Sequence, residues 1–387
     1  MKNRKVVIRI LGGAVLLLVV GYCCLPYYAR QALVHWFPDI DDLELFERHV
    51  VQAPDSCWEW GISPSYNTYR LEAEDSVYLM EKETVSFLVI RHDSILFERY
   101  WGGWNDTLTS NLFSATKTIV GMLAGVALEE GAIKSLDDPV FRYIPSYVEG
   151  NRKKVTIRDL LTMSGAMDWD EAYASLFSVT THGYYGNDLY DLVTGLDVKE
   201  EPGVQYSYRS GETQLLAFVL EAATGRTLSD YAEEKLWQPM MAGRDAFWLL
   251  DKKGGDEKAF CCFHTTARDA ARFARLMLHK GNWNGRQLVP EAYMAEAMTP
   301  ASYLKNQWGD GPLDYYGFQT WIMHYRNQVN PYMRGMLGQY IIAIPGRDAI
   351  VVRLGHKRSD EYVREMTTDI YRYMDLAMKI LDEENQK

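Results

Sequence analysis

Apolar and polar positions follow two regimes along this chain. Val85 to Arg91 and Ser94 to Tyr100 are runs of β-formers on either side of the polar pair His92-Asp93, the pattern of an antiparallel hairpin. The middle of the chain turns helical. Thr156-x-x-Asp159 and Thr266-x-x-Asp269 have the form of N-terminal capping boxes with Asp in place of Glu, closing near Gly165 and Gly281, and Leu215 to Ala223 is stopped by Gly225. Strand signals return at Tyr316 to Met323, Gln339 to Ile344 and Ala349 to Leu354, the last two joined by the turn Pro345-Gly346-Arg347-Asp348. An apolar stripe at helical spacing, Tyr362, Met366, Ile370, Tyr373 or Met374, and Met378, closes the chain. This order predicts an α+β fold, an α/β sandwich. N- and C-terminal strands share one antiparallel sheet flanked by helices, a mostly helical lobe is inserted between them, and a cleft lies between the two parts.

The first residues answer a different requirement. Lys2, Arg4, Lys5 and Arg9 precede an uncharged apolar run from Ile10 to Leu25, just long enough to approach a bilayer core. Residues 1–25 are therefore expected to anchor the chain as a single-pass membrane protein, with everything after them outside the cytoplasm, on the periplasmic side. A cleaved signal peptide has the same charged and apolar regions, and lipid attachment at Cys23 is a third reading. Tyr22 and the lack of a small-x-small site argue against processing. Residues 26–60 mix aromatic and acidic side chains with Pro38 and Pro54 and read as a juxtamembrane helix and linker; residues 61–387 form the main domain.

Composition narrows the partners. A formal charge of -11 disfavours a phosphate backbone, so nucleic acid is not expected. Cys23, Cys24, Cys57, Cys261 and Cys262 have no metal-ligand spacing, and the histidines form no H-E-x-x-H, so neither metal nor cofactor is expected. Two vicinal cysteine pairs and a singleton make a poor disulfide framework: Cys57 bridged to Cys261 or Cys262 is one reading, buried free thiols the other. No G-x-S-x-G elbow is present to support an α/β-hydrolase.

Ser114-Ala115-Thr116-Lys117 opens an apolar helical run, Ile119 to Leu128, ended by Gly131. Spacing of three puts both side chains on one face of the first turn. The positive end of the helix favours a serine alkoxide and a neutral lysine, and the Ser114 N–H can point at an oxyanion, which is what a serine nucleophile without histidine needs. Ser302-Tyr303-Leu304-Lys305 repeats the motif without a long apolar helix behind it and reads as a surface loop. Pro202-Gly203-Val204-Gln205-Tyr206-Ser207-Tyr208-Arg209-Ser210-Gly211 presents Tyr208 just before a helix. That phenol can exchange a proton with serine or leaving group if neighbouring cations lower its pKa.

Phe113-Ser114-Ala115-Thr116-Lys117, Leu136-Asp137-Asp138-Pro139-Val140, the run Thr156 to Gly165 and Thr266-Ala267-Arg268-Asp269, spread over about Phe87 to Leu354, resemble the class C β-lactamase-related serine hydrolases. That group includes D-Ala-D-Ala carboxypeptidases, family VIII esterases and 6-aminohexanoate-dimer hydrolases. The resemblance implies a β-lactamase/DD-peptidase-like fold and an acyl-enzyme on Ser114, with Lys117 and Tyr208 as acid/base groups. Tyr208-Arg209-Ser210 stands where the family has Tyr-Ser-Asn, so Ser210 takes the place of the orienting amide. Met336-Leu337-Gly338 stands at the third motif: a cation is missing there, while Gly338 and the Gln339 N–H are the expected second oxyanion donors. Arg334 and His356 are candidate compensating cations but read more simply as surface or strand-end residues. Asp170-Glu171-Ala172-Tyr173 resembles a stretch of the aminohexanoate hydrolase branch, which places Tyr173, with Trp169 and Trp321, at the cleft or in its packing. The expected substrate is a small molecule or peptide, cell-wall fragments among them. The alternative is a sensor or wall-binding protein that is acylated without turnover.

Overall fold

The computed structural model describes residues 2–384, without the side chains of residues 2–5, 7 and 9. Its main sheet has seven strands: β1 (Gly61–Ile62), β2 (Thr84–Arg91), β3 (Ser94–Tyr100), β4 (Trp321–Tyr325), β5 (Gln328–Gly335), β6 (Gln339–Ile344) and β7 (Ala349–Gly355). Their spatial order is β4-β5-β6-β7-β2-β3-β1, antiparallel throughout except for β1 beside β3. β7 pairs with β2, Ile350 opposite Ile90 and Val352 opposite Leu88, so the two ends of the chain share one sheet as expected. The β2–β3 turn places both His92 and Asp93 at positive φ, the mirror-image turn that matches strand twist.

β2 is apolar without alternation because both of its faces are covered. Leu88 and Ile90 enter the core under the helical lobe; Phe87 and Val89 enter the core under the C-terminal helix. Fully burying each such side chain is worth about 1.5–3 kcal/mol, which fixes the register that carries the site. The helices used below are α1 (Lys2–Cys24), α2 (Tyr27–His35), α3 (Thr116–Glu129), α4 (Val179–Tyr185), α5 (Ser210–Thr224), α6 (Ala267–Leu278) and α7 (Asp369–Glu384). Thr156 and Asp159 form a reciprocal capping box, Thr266 caps α6 by accepting from Asp269 N–H, and Gly225 ends α5 at φ +68.

Three elements differ from expectation. β5 carries Gln328, Asn330, Pro331 and Arg334, too polar to announce a strand, and is held by its neighbours, with Tyr332 opposite both Trp321 and Ile342. Tyr362 and Met366 belong to a short hairpin, Tyr362–Val363 with Met366–Thr367, so the last helix starts only at Asp369. Residues 26–60 are built into the fold rather than linking to it. Tyr28 stacks on His182 of the helical lobe at 4.2 Å, and Arg48–Val51 pairs with Ala246–Leu249 in a second, four-stranded sheet.

Among the described residues no single helix is long and apolar enough to cross a membrane; Ile10–Cys24 and Tyr27–His35 reach that length only together and are bent by 120°. The side chains of Lys2, Arg4, Lys5 and Arg9, on which the expected orientation rests, lie outside the described residues. Neither cysteine reading holds for the vicinal pair at 261–262: Cys261 is bonded to Cys262, while Cys57 is free and exposed.

Candidate active site

Phe113–Ala115 forms a single tight turn that feeds Ser114 into α3. Phe113 sits at φ +46, a conformation sparsely used by bulky residues, and its N–H is held by Asn111 Oδ1 at 2.8 Å. β5 ends against the same turn: a Cβ on Gly335 would fall 2.1 Å from the Leu112 carbonyl oxygen, so only glycine fits. Lys117, one helical turn on, is 1% exposed. Its Nζ donates to Ser114 Oγ at 2.9 Å and to the Phe260 carbonyl at 2.6 Å. Burial pulls this lysine from 10.5 to about 7; the Glu171 carboxylate opposes the shift and the Arg334 cation adds to it.

Tyr208 completes the cluster, with Lys117 Nζ 5.1 Å from its ring centroid and a hydrogen bond to Ser114. Trp321 packs against the ring at 5.5 Å, and the Arg334 guanidinium lies 3.6 Å over Trp321. The cations expected to lower this phenol are present, but they lose. Burial, with the Glu171 charge behind it, raises the Tyr208 pKa despite hydrogen bonding with Ser114 and the charges of Arg334 and Arg358. The resting phenol is therefore protonated.

Glu171 received no role from the sequence, although the Asp-Glu-x-Tyr stretch that contains it was the available signal. It accepts from the Ser210 N–H and hydroxyl at the start of α5, and from the Tyr173 hydroxyl. A carboxylate at a helix N-terminus is favourably placed. Burial nonetheless raises its pKa, opposed by Lys117. Ser210 thus orients Glu171, where it was expected to act on lysine and substrate.

A cavity of about 300 Å³ opens onto Ser114, and Tyr173, Ser210, Phe260 and Met336 line it. Gly338 and Gln339, expected as oxyanion donors, are not among the residues that line it. The Gln339 side chain is buried and bonded to the Met336 carbonyl and to both backbone groups of Gly355, and the Gly338 carbonyl accepts from Arg353. The residue just after β5 that lines the cavity with Ser114 is Met336. Trp169 is buried against Phe260 at 5.6 Å and Trp321 stands behind Tyr208, so both support the site from its packing. Arg334, read from the sequence as a surface or strand-end residue, belongs to the site, whereas His356 pairs with Asp39 at 2.6 Å. Ser302 lies exposed in a loop. Asp39, Asp41 and His356 bring ligand atoms within 4.8 Å of one another, the single such group of metal-ligating side chains among the described residues.

Comparison with known proteins places this geometry. The beta-lactamase family matches residues 78–372. The chain is 28% identical over 299 residues to the 6-aminohexanoate-dimer hydrolase of Paenarthrobacter ureafaciens, covering 71% of this chain and 73% of that protein. The solved structure of the "Putative 6-aminohexanoate-dimer hydrolase from Bacillus anthracis" superposes with a TM-score of 0.77 at 20% identity, covering 93% of this chain and 96% of that one. The octameric penicillin-binding protein homologue from Pyrococcus abyssi gives a TM-score of 0.60 at 18% identity, covering 79% and 77%.

Proposed function

The chain belongs to the beta-lactamase family and is a serine hydrolase, and from that premise we propose that it cleaves an ester or amide through an acyl-enzyme on Ser114. Neutral Lys117 takes the Ser114 hydroxyl proton as Oγ attacks the substrate carbonyl. The developing oxyanion is held by the backbone N–H groups of Ser114 and Met336, the residues that α3 and β5 bring to one cavity wall. The C–O or C–N bond then breaks, and the leaving group takes a proton from the Tyr208 phenol, which regains one from Lys117. Water enters by the same path in reverse and frees the acid. The observation that carries this reading is the 2.9 Å contact of Ser114 Oγ with a lysine whose pKa is brought to about 7. The test is covalent labelling with a fluorophosphonate, mapped by mass spectrometry, with turnover of a short-chain ester. Label on any residue other than Ser114 refutes the assignment, and acylation without turnover makes the protein a sensor.

The finer placement is at a membrane surface with the hydrolase outside the cytoplasm. Its support is the run of basic residues before Ile10 and the exposure of Leu16, Leu17 and Leu18, each above 60%. Membrane sedimentation that survives high salt is the expected result; release by salt counts against it.

A further inference from the structure

The cavity at Ser114 has a wall for which the bond-breaking chemistry has no use. Ala32, Leu33, Trp36, Phe37 and Pro38 line it from the N-terminal segment, and Leu176 joins them from the helical lobe. None carries a charge. The wall is held in place: Ala29 and Ala32 are buried, Tyr28 stacks on His182, and the Tyr185 hydroxyl donates to the Trp36 carbonyl at 3.1 Å. Its rim remains open to water, with Trp36 68%, Phe37 57% and Leu33 41% exposed. Apolar surface kept in water beside a nucleophile selects for a ligand that covers it, since burial is worth roughly 25 cal/mol per Å². At the ~30 Å³ share of a small heavy-atom group such as water, the cavity of about 300 Å³ has room for roughly ten heavy atoms.

Resting on the hydrolase reading above, we infer that the substrate is an amphiphile, an ester or amide of a medium-length fatty acyl chain. The chain lies along the Leu33–Trp36–Phe37 wall and its carbonyl sits at Ser114. Longer acyl chains then gain affinity as they fill the wall and stop gaining when it ends.

The test uses the full chain in lipid nanodiscs with p-nitrophenyl esters of increasing acyl length. From acetyl to about octanoyl, kcat/KM is expected to rise about two- to fourfold per methylene and then to level off. The double variant Leu33→Asp/Phe37→Asp should bring the octanoyl-to-acetyl ratio down by at least tenfold. Val34→Asp, on the same helix and 61% exposed but outside the cavity, should leave that ratio as it is. A wild-type series that is flat or falls with length, on a Ser114 that still labels, overturns the inference and leaves the hydrolase reading intact. If Ser114 neither labels nor turns over, that reading fails, and the wall is tested by binding of a dansyl-labelled medium-chain fatty acid. Binding lost in the double variant sustains the apolar-chain site, and equal or absent binding in both proteins overturns it.

Discussion

Neutralising the charges around Lys117 one at a time should move the pH profile in opposite directions. An ordinary lysine at 10.5 is neutral in roughly one molecule in three thousand at pH 7, whereas one at about 7 is neutral in half. The difference corresponds to about 5 kcal/mol between protonation states, carried mainly by burial. Because the base must be neutral, kcat/KM should rise with pH through a midpoint near 7 and level off above it. Glu171→Gln removes the anion that holds the Lys117 pKa up and keeps an oxygen for the Ser210 N–H. The rising limb should therefore move to lower pH. Arg334→Gln removes the cation that holds it down, so the limb should move to higher pH. The assay is kcat/KM on a short ester from pH 5 to 10 at constant ionic strength, since partly exposed charges are screened by salt. A wild-type midpoint near 10, or two variants that shift the same way, would refute the assignment of Lys117 as the base.

Ser114→Ala should abolish fluorophosphonate labelling and lower turnover by several orders of magnitude; Lys117→Ala should be nearly as damaging, and the double variant no worse than the single ones, because the residues act as one unit. Tyr208→Phe should keep the fold and lose ~10²–10⁴-fold in kcat, the usual worth of a positioned proton donor; an unchanged rate would leave Tyr208 as packing against Trp321. Removing residues 1–24 should spare thermal stability, whereas removing 1–59 should lower Tm sharply. The longer cut takes buried Ala29, Ile40 and Val51 and the strand paired with Ala246–Leu249, and each large apolar side chain is worth about 1.5–3 kcal/mol. Equal melting of the two truncations would show that the segment is a linker after all.

Legibility from the sequence followed the range of the signal. The proximity of Ser114 and Lys117 was readable because a spacing of three across the turn into α3 fixes it, and the β2–β3 hairpin because its turn is local. β5 was not, since its polar residues become a strand only between β4 and β6. The cavity-lining place of Met336 was hidden for the same reason. Which residue at 335–339 lines the cavity beside Ser114 depends on where β5 abuts Leu112, a contact across more than two hundred residues. Segment 26–60 was misread because aromatic and acidic residues around two prolines look alike in a linker and in a wall. Its partners, His182, Tyr184 and Tyr185, are supplied only by the tertiary fold.

The same burial favours a neutral Lys117 and a protonated Tyr208, the states that the proposed base and acid need, and this argues that the two were placed together rather than separately tuned. Withdrawing both from water penalises the charged form of each, which is the protonated form of lysine and the deprotonated form of tyrosine. One environment thus drives the two pKa values apart, lysine down to about 7 and tyrosine upward. Groups separated in this way divide into proton acceptor and proton donor at neutral pH without any further device. Glu171 sets the balance: its charge opposes the shift at Lys117 and reinforces the one at Tyr208, so its loss favours a stronger acid and a weaker base. A substrate that fills the cavity and expels the remaining water deepens the burial of both groups at once. An apolar chain along the Trp36–Phe37 wall would do this, so acyl length should act on kcat as well as on KM. If chain length changes KM alone, the wall binds substrate without sealing the site, and the coupling between burial and proton transfer is absent.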